Sequence, residues 1–238
     1  MFQKIITYCA IFAAVPTLAA GFADCPQFFP NGKPPIVKPR PLHRELCFDS
    51  FAILHSGETK APVFAAEKLN RASVADADEK RTNRFYEEAR LRSAERATLE
   101  DYKNSGYSRG HMAPAGDMPN VTAMAQSFSL ANMVPQEQGH NGGLWSKTEQ
   151  DTRKYAARAQ GDVFVITGPV FEADSPTIGA GQVRVPKYIF KLVYDAQRNK
   201  AWAHWQENRS GKQDAKPISY KELVIRTGVE FLSEIQPN

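Results

Sequence analysis

A stretch in the middle of the chain, Ser108-Arg109-Gly110-His111-Met112-Ala113-Pro114, sets an imidazole, a guanidinium and a glycine side by side before a proline-stiffened turn. Histidine is the side chain most readily used as a general base near neutral pH. Arginine is a permanently charged planar fork that suits a phosphate. Gly110 has no side chain, so a backbone or a phosphodiester can come close to it. A lone histidine is more often structural than catalytic. Three downstream segments change the balance: Asn132-Met133-Val134-Pro135-Gln136, then Asn141-Gly142-Gly143-Leu144-Trp145, then Glu149 eight positions after Asn141.

With these motifs in this order the chain resembles the DNA/RNA non-specific endonucleases, the ββα-metal nucleases that include Serratia nuclease and mitochondrial endonuclease G. The resemblance runs from about Arg81 to about Phe231. It implies a catalytic His111 and Arg109, with Asn132, Glu149 and a metal-binding Asn141 beside them. It also implies that an arginine just upstream of Phe85 contacts substrate phosphate. Arg81 and Arg84 both qualify, and the order Asn83-Arg84-Phe85 favours Arg84. One departure stands out: Ser108 occupies the position where most members carry Asp. Some mitochondrial exo/endonuclease relatives also have Ser there, so a 5′-exonuclease-type member remains an alternative, as does a nucleic-acid-binding protein without catalysis.

Phosphodiester hydrolysis needs an activated water, neutralised phosphate charge and help for the leaving oxygen. One hard divalent cation with few protein ligands supplies the last two. The Asn141 amide oxygen as single direct ligand, with waters around it, suits Mg²⁺, with Mn²⁺ as a substitute. His111 would take the proton, and activity is then expected to rise with pH as the imidazole becomes neutral. Eight residues of helix rise about 12 Å, so Glu149 reads as an acceptor for metal-bound water. Each residue has a structural reading too. Asn141 could be a helix N-cap, Glu149 a surface partner of Arg153, Asn132 a backbone-satisfying amide and Trp145 core. His140 points about 100° away from Asn141 on a helix and reads as flanking. No closely spaced cysteine pair supports structural zinc.

The elements that must position these groups follow from pattern. The chain has 238 residues, 42% hydrophobic, with a net charge of +4. That is enough for one sizeable domain and permits a polyanionic substrate without demanding one. Residues 1–23 read as an export signal, with Lys4, an apolar core and small residues near Ala19, Ala20 and Ala23. Periplasmic or secreted location is the expectation, with no membrane attachment after cleavage. Cys25 and Cys47 then remain as an even pair, which suggests one disulfide, with two reduced buried thiols as the other reading. Six prolines within 24–42 predict an extended arm.

Strands are expected over 47–55, 61–69, 129–134, 163–167, 183–194 and 201–205, and helices over 119–128, from Asn141 to Gly161, and from 221 with a break at Thr227-Gly228. The charged run 76–104 reads as a solvated, partly helical face. Together these predict an α+β fold: a central antiparallel sheet flanked by helices, with a ββα-metal unit at one face. The expected division is a signal at 1–23, a proline-rich arm at 24–46 and the nuclease domain at 47–238. DNA and RNA are the expected substrates, a homodimer is left open, and no inhibitor partner is specified.

Overall fold

The computed structural model describes residues 21–214 and 216–238. Most of the expected signal segment therefore lies outside the described residues. The chain forms an α+β fold around a seven-stranded, wholly antiparallel sheet, with strands β1 His43–Cys47, β2 Phe51–Ser56, β3 Ala61–Leu69, β6 Val163–Val170, β9 Tyr188–Asp195, β10 Lys200–Glu207 and β11 Ile218–Ser219 adjacent in that order. A separate two-stranded ribbon pairs β4 Ser108–His111 with β5 Met133–Gln136. A short hairpin pairs β7 Thr177–Ile178 with β8 Val183–Arg184. The helices are α1 Arg71–Ala75, α2 Leu99–Tyr102, α3 Val121–Ser127, α4 Gln138–His140, α5 Ser146–Ala156 and α6 Tyr220–Thr227.

The central strands are buried on both faces, so their sequences are near-continuous apolar runs whose alternate residues enter different cores. In β2, Ala52 and Leu54 face a core with Phe22, Phe28, Phe29 and Phe64. Phe51 and Ile53 face the other side, against Met112, Phe128, Val134 and Trp145. The Arg109-Gly110-His111 segment therefore sits on the second face, next to side chains that the sheet itself buries.

Three expectations change. The strand expected over 47–55 is two strands joined by a turn, because Phe48 and Phe51 stack at 4.4 Å where the chain reverses. The proline-rich segment is not an extended arm. Short 3₁₀ turns at Phe22–Asp24, Pro26–Phe28 and Pro30–Gly32 fold Phe22, Phe28 and Phe29 into the core, and β1 lies within it. Prolines at the first positions of two of these turns suit a short helix start, where their missing N–H is no loss. A Cys25–Cys47 disulfide with a Cα–Cα distance of 5.9 Å ties this segment to β1. The charged run 76–104 is mostly exposed, as expected, but its helical part is confined to Ser93–Glu95 and Leu99–Tyr102. Its ion pairs bridge distant backbone or near neighbours, as with Glu88–Arg90, Arg96–Glu87 and Arg44–Glu95, and do not lie along a helix face.

Candidate active site

The β4–β5 ribbon places the motif. Arg109 pairs with Pro135, Gly110 with Val134 and His111 with Met133. Strand periodicity puts Arg109 and His111 on the same face. Pro135, expected to end β5, lies inside it. A two-stranded ribbon has a free outer edge where a missing N–H costs no ladder bond. Gly110 is required by close approach: a Cβ there would lie 2.1 Å from Gln136 Oε1.

His111 is buried against Phe128, ring centroids 5.0 Å apart and edge-on, and against Phe85 at 5.9 Å. Among the described residues its Nε2 has no hydrogen-bond partner. Burial, aided by the Arg81 charge, lowers its pKa to about 3, so the ring is neutral with a bare nitrogen at ordinary pH. Behind it, Asn132 is fully buried and fully used. Its Oδ1 accepts from Ala113 N, and its Nδ2 donates to Ala113 O and Ser127 O, all at 2.8–2.9 Å. Asn132 thus holds the backbone that follows His111 and does not reach the cavity.

Arg81, Arg109 and Asn141 line one cavity of about 680 Å³, together with Ser108, Tyr102, Lys103 and Tyr107 among others. Arg109 stacks on Phe85, its Cζ 4.1 Å from the ring centre. Arg81 lies over Phe128 at 5.0 Å. Among the described residues neither guanidinium has a carboxylate partner within ion-pair distance. Two unpaired guanidiniums beside one cavity make an anion site. Arg84, the arginine favoured from sequence, is exposed and does not line the cavity; Arg81 does. Arg81 is placed there by its contact with Phe128, far along the chain, of which local order carries no signal.

Asn141 begins a wide π turn, Asn141–Trp145, between α4 and α5. It is not an N-cap. Glu137 caps α4 through His140 N at 2.8 Å, and Asn141 N donates to Glu137 O. The Asn141 carboxamide makes no hydrogen bond among the described residues, and it lines the cavity, so its oxygen is available to a cation. No group of three or more His, Cys, Asp or Glu side chains gathers at a metal-sized spacing among those residues. That donor set fits a hard ion that keeps most of its waters.

Glu149 is half-buried on α5, with no ion pair to Arg153. Arg153 bonds Asp117 at 2.6 Å instead. Desolvation lifts the Glu149 carboxyl to about 7, Asp117 adding to the rise and Lys191, Arg153 and Arg81 opposing it. Sequence reasoning missed this network. Its members Glu67 and Lys191 sit buried on β3 and β9, Lys191 donating to Thr167 Oγ1 at 2.8 Å. The available signal was a charge set within each apolar strand, Glu67 in β3 and Lys191 in β9. His140 behaves as expected for a flanking residue. It is buried between Gln136 Nε2 (3.1 Å) and Gln206 Oε1 (2.8 Å), and Gln206 continues to Thr148 Oγ1 on α5. Trp145 is core, as expected.

A family model described as DNA/RNA non-specific endonuclease matches residues 37–238. The chain is 33% identical over 156 residues to Nuclease EXOG, mitochondrial, of Xenopus laevis, covering 60% of this chain and 42% of that protein. It is 33% identical over 172 residues to Nuclease C1 of Cunninghamella echinulata var. echinulata, covering 66% and 67%. Human Endonuclease G, mitochondrial, is 30% identical over 156 residues, covering 61% and 52%. A solved structure described as "Crystal structure of the EndoG/EndoGI complex: Mechanism of EndoG inhibition" matches with a TM-score of 0.76 at 25% identity, covering 92% of this chain and 95% of that one. The chain spans about half the length of the mitochondrial relatives. Their names correct one expectation: relatives of this kind are mitochondrial, which overturns the periplasmic or secreted reading of residues 1–23. A positive, acid-free, apolar leader does not by itself separate export from import into an organelle.

Proposed function

Since the chain belongs to the DNA/RNA non-specific endonuclease family, we propose that it hydrolyses phosphodiester bonds of DNA and RNA without reading sequence, using a divalent cation. The observation that carries this reading is the unpartnered, neutral Nε2 of His111 behind the cavity that Arg81, Arg109 and Asn141 share. His111 Nε2 accepts the proton of a water whose oxygen attacks phosphorus. Arg81 and Arg109 hold the phosphate and offset the charge that develops on it. The leaving sugar oxygen departs with the bonding electron pair and takes a proton from solvent water, so it ends as a hydroxyl. In the free protein Arg81 depresses the basicity of His111. A bound phosphate anion cancels that charge, so the imidazole becomes a stronger base when substrate is present.

The Asn141 oxygen would hold the cation, and Mg²⁺, or Mn²⁺ in its place, fits a site with one amide ligand and room for waters. The ion would supply charge stabilisation to the scissile phosphate and to the leaving oxygen. Glu149, once ionised, accepts hydrogen bonds from the waters around that position. Asn132 acts through the backbone at Ala113 and is a positioning residue.

Digestion of linear duplex, covalently closed circular DNA, single-stranded DNA and RNA, with Mg²⁺ and with EDTA, tests this. Cleavage of all four that EDTA stops is the expected result. Cleavage of linear DNA with intact closed circles assigns the 5′-exonuclease type, and binding without cleavage of any of them overturns the enzyme reading.

A further inference from the structure

The cavity is larger than one phosphate and one cation require. Its volume of about 680 Å³ is well inside the range of about 300–1,000 Å³ typical of sites for whole organic ligands. Arg81, Arg109 and Asn141 account for one wall. The other is Leu99, Tyr102, Lys103, Asn104 and Tyr107, which the proposed hydrolysis does not use.

That second wall is built, not a loose loop. Thr98 caps α2 with a reciprocal bond to Asp101, and Asp101 Oδ1 also accepts Gly181 N at 2.6 Å, fastening α2 to the β7–β8 hairpin. Tyr102 packs its ring with Leu130, Met133, Ile178 and Val183. The residue lines the cavity and is only 5% exposed, and among the described residues its Oη has no hydrogen-bond partner. A buried hydroxyl left unpaired is costly unless something else satisfies it. Burial and the Asp101 charge hold the phenol far above its usual range, so it is a donor and never a phenolate. Next to it, among the described residues Lys103 Nζ is tied only to Glu100, at 3.1 Å in an exposed pair. Such pairs contribute little and exchange readily for a better anion. Asn104 turns the chain with a φ of +56°, a conformation Asn tolerates, and so fixes where the Lys103 backbone ends.

We propose that this wall is a subsite for the phosphate adjoining the scissile one on the same strand, with Tyr102 Oη donating a hydrogen bond to it and Lys103 supplying the charge. The inference rests on the phosphodiesterase reading and adds to it. Substrate would be gripped at two successive phosphates, so a fragment with a single phosphodiester would be a poor substrate whatever its bases.

The test separates binding from chemistry. Affinity for a fluorescent single-stranded oligonucleotide is measured by anisotropy in EDTA over a salt series, for wild type, Lys103→Ala, Tyr102→Phe, Glu100→Gln and Lys33→Ala. Each phosphate contact on a single strand contributes about 0.7 to the slope of log affinity against log salt. Lys103→Ala should flatten the slope by about that amount. Lys33→Ala, which removes one charge at an exposed pair with Glu234, should not. Tyr102→Phe keeps the ring and its packing. It should weaken binding several-fold at unchanged slope. Glu100→Gln frees Lys103 and should tighten binding. In parallel, the wild-type gain in kcat/KM from a dinucleotide to a trinucleotide should shrink in Lys103→Ala. An unchanged slope in Lys103→Ala, or a slope change equal to that of Lys33→Ala, overturns the subsite. Wild type that binds with the expected slope but cleaves nothing overturns the phosphodiesterase reading and leaves the subsite standing.

Discussion

Arg81 and His111 meet on one ring: the Arg81 Cζ lies 5.0 Å from the centre of Phe128, and the His111 ring packs edge-on to the same phenyl at 5.0 Å. The contact joins Arg81 to the proposed base, whereas Arg84 lies outside the cavity. Arg81→Ala is expected to lower kcat/KM on an oligonucleotide by about 10-fold or more, the scale of a lost charged hydrogen bond. Arg84→Ala should stay within about 2-fold, as exposed surface changes do. Steady-state kinetics at fixed salt compare them, and a larger loss in Arg84→Ala would reverse the assignment.

His111 and Asn141 should fail in different ways. His111→Ala removes proton transfer, worth about 10² to 10⁴ in rate, while Mn²⁺ binding persists. Asn141→Ala should weaken metal binding and activity together, with partial rescue by added Mg²⁺. His140→Ala should leave the metal midpoint alone yet lower stability by about 1–3 kcal/mol, because Gln136 and Gln206 lose their shared partner. Metal titrations of activity together with thermal melts distinguish the three variants. Near-normal turnover in His111→Ala would move the base elsewhere.

Much of this arrangement was legible in the sequence, and the illegible part has a physical cause. β3 and β6 were readable because β-branched and apolar runs flanked by turns have few other outcomes. The ribbon carrying His111 was readable through motif order. What periodicity could not reach was contact across the fold. The choice between Arg81 and Arg84 depends on Phe128, and the neighbours of Glu149 come from β3 and β9 as well as α5. The 76–104 run misled for the same reason: its charges suit a helix face, yet their partners are brought by tertiary structure. Six prolines suggested extension, but three buried phenylalanines set the path of that segment.

The pH profile should report Glu149 and not the imidazole. His111 has its pKa lowered to about 3, so it is already neutral across the working range. The Glu149 carboxyl, raised to about 7 chiefly by desolvation, is protonated below that pH and ionised above it. Activity at low metal should therefore rise as pH increases through about 7, since only the ionised form accepts hydrogen bonds from metal-bound water. In Glu149→Gln activity should fall by about 10- to 100-fold, and what remains should be flat from roughly pH 6 to 8. A limb that survives in Glu149→Gln would assign it to another group.

The Cys25–Cys47 link closes a loop across 22 positions, for which the chain-entropy account gives about 3 kcal/mol. It also pins Phe22, Phe28 and Phe29 over one sheet face, opposite the face that carries His111. Reduction, or Cys47→Ser, should lower the melting temperature by roughly 5–10 °C for a chain of this size while leaving kcat at low temperature unchanged. Equal melting curves with and without reductant, with both thiols alkylated only after reduction, would show that packing alone holds the segment.

The π turn at Asn141–Trp145 supplies the sharpest local test. Wide turns of this kind are rare and concentrate at functional sites. Here one bridges α4, held by His140, and α5, held by Trp145, and it aims Asn141 at the cavity. Only Gly143 within it leaves helical geometry, at φ −106° and ψ −106°. A Cβ at Gly142 or Gly143 would meet nothing within 4 Å, so neither substitution can act by a clash. They differ in backbone alone. Gly142→Ala places a better helix former at a helical position and should be neutral or stabilising by up to about 1 kcal/mol. Gly143→Ala puts a helix former at the one non-helical position and should relax the turn toward an ordinary helix, which rotates Asn141 relative to Trp145. Its Mn²⁺ midpoint should therefore rise several-fold while that of Gly142→Ala stays at the wild-type value. Melting curves and metal titrations on the two variants decide it, and identical metal midpoints would mean that the π turn does not position the ligand.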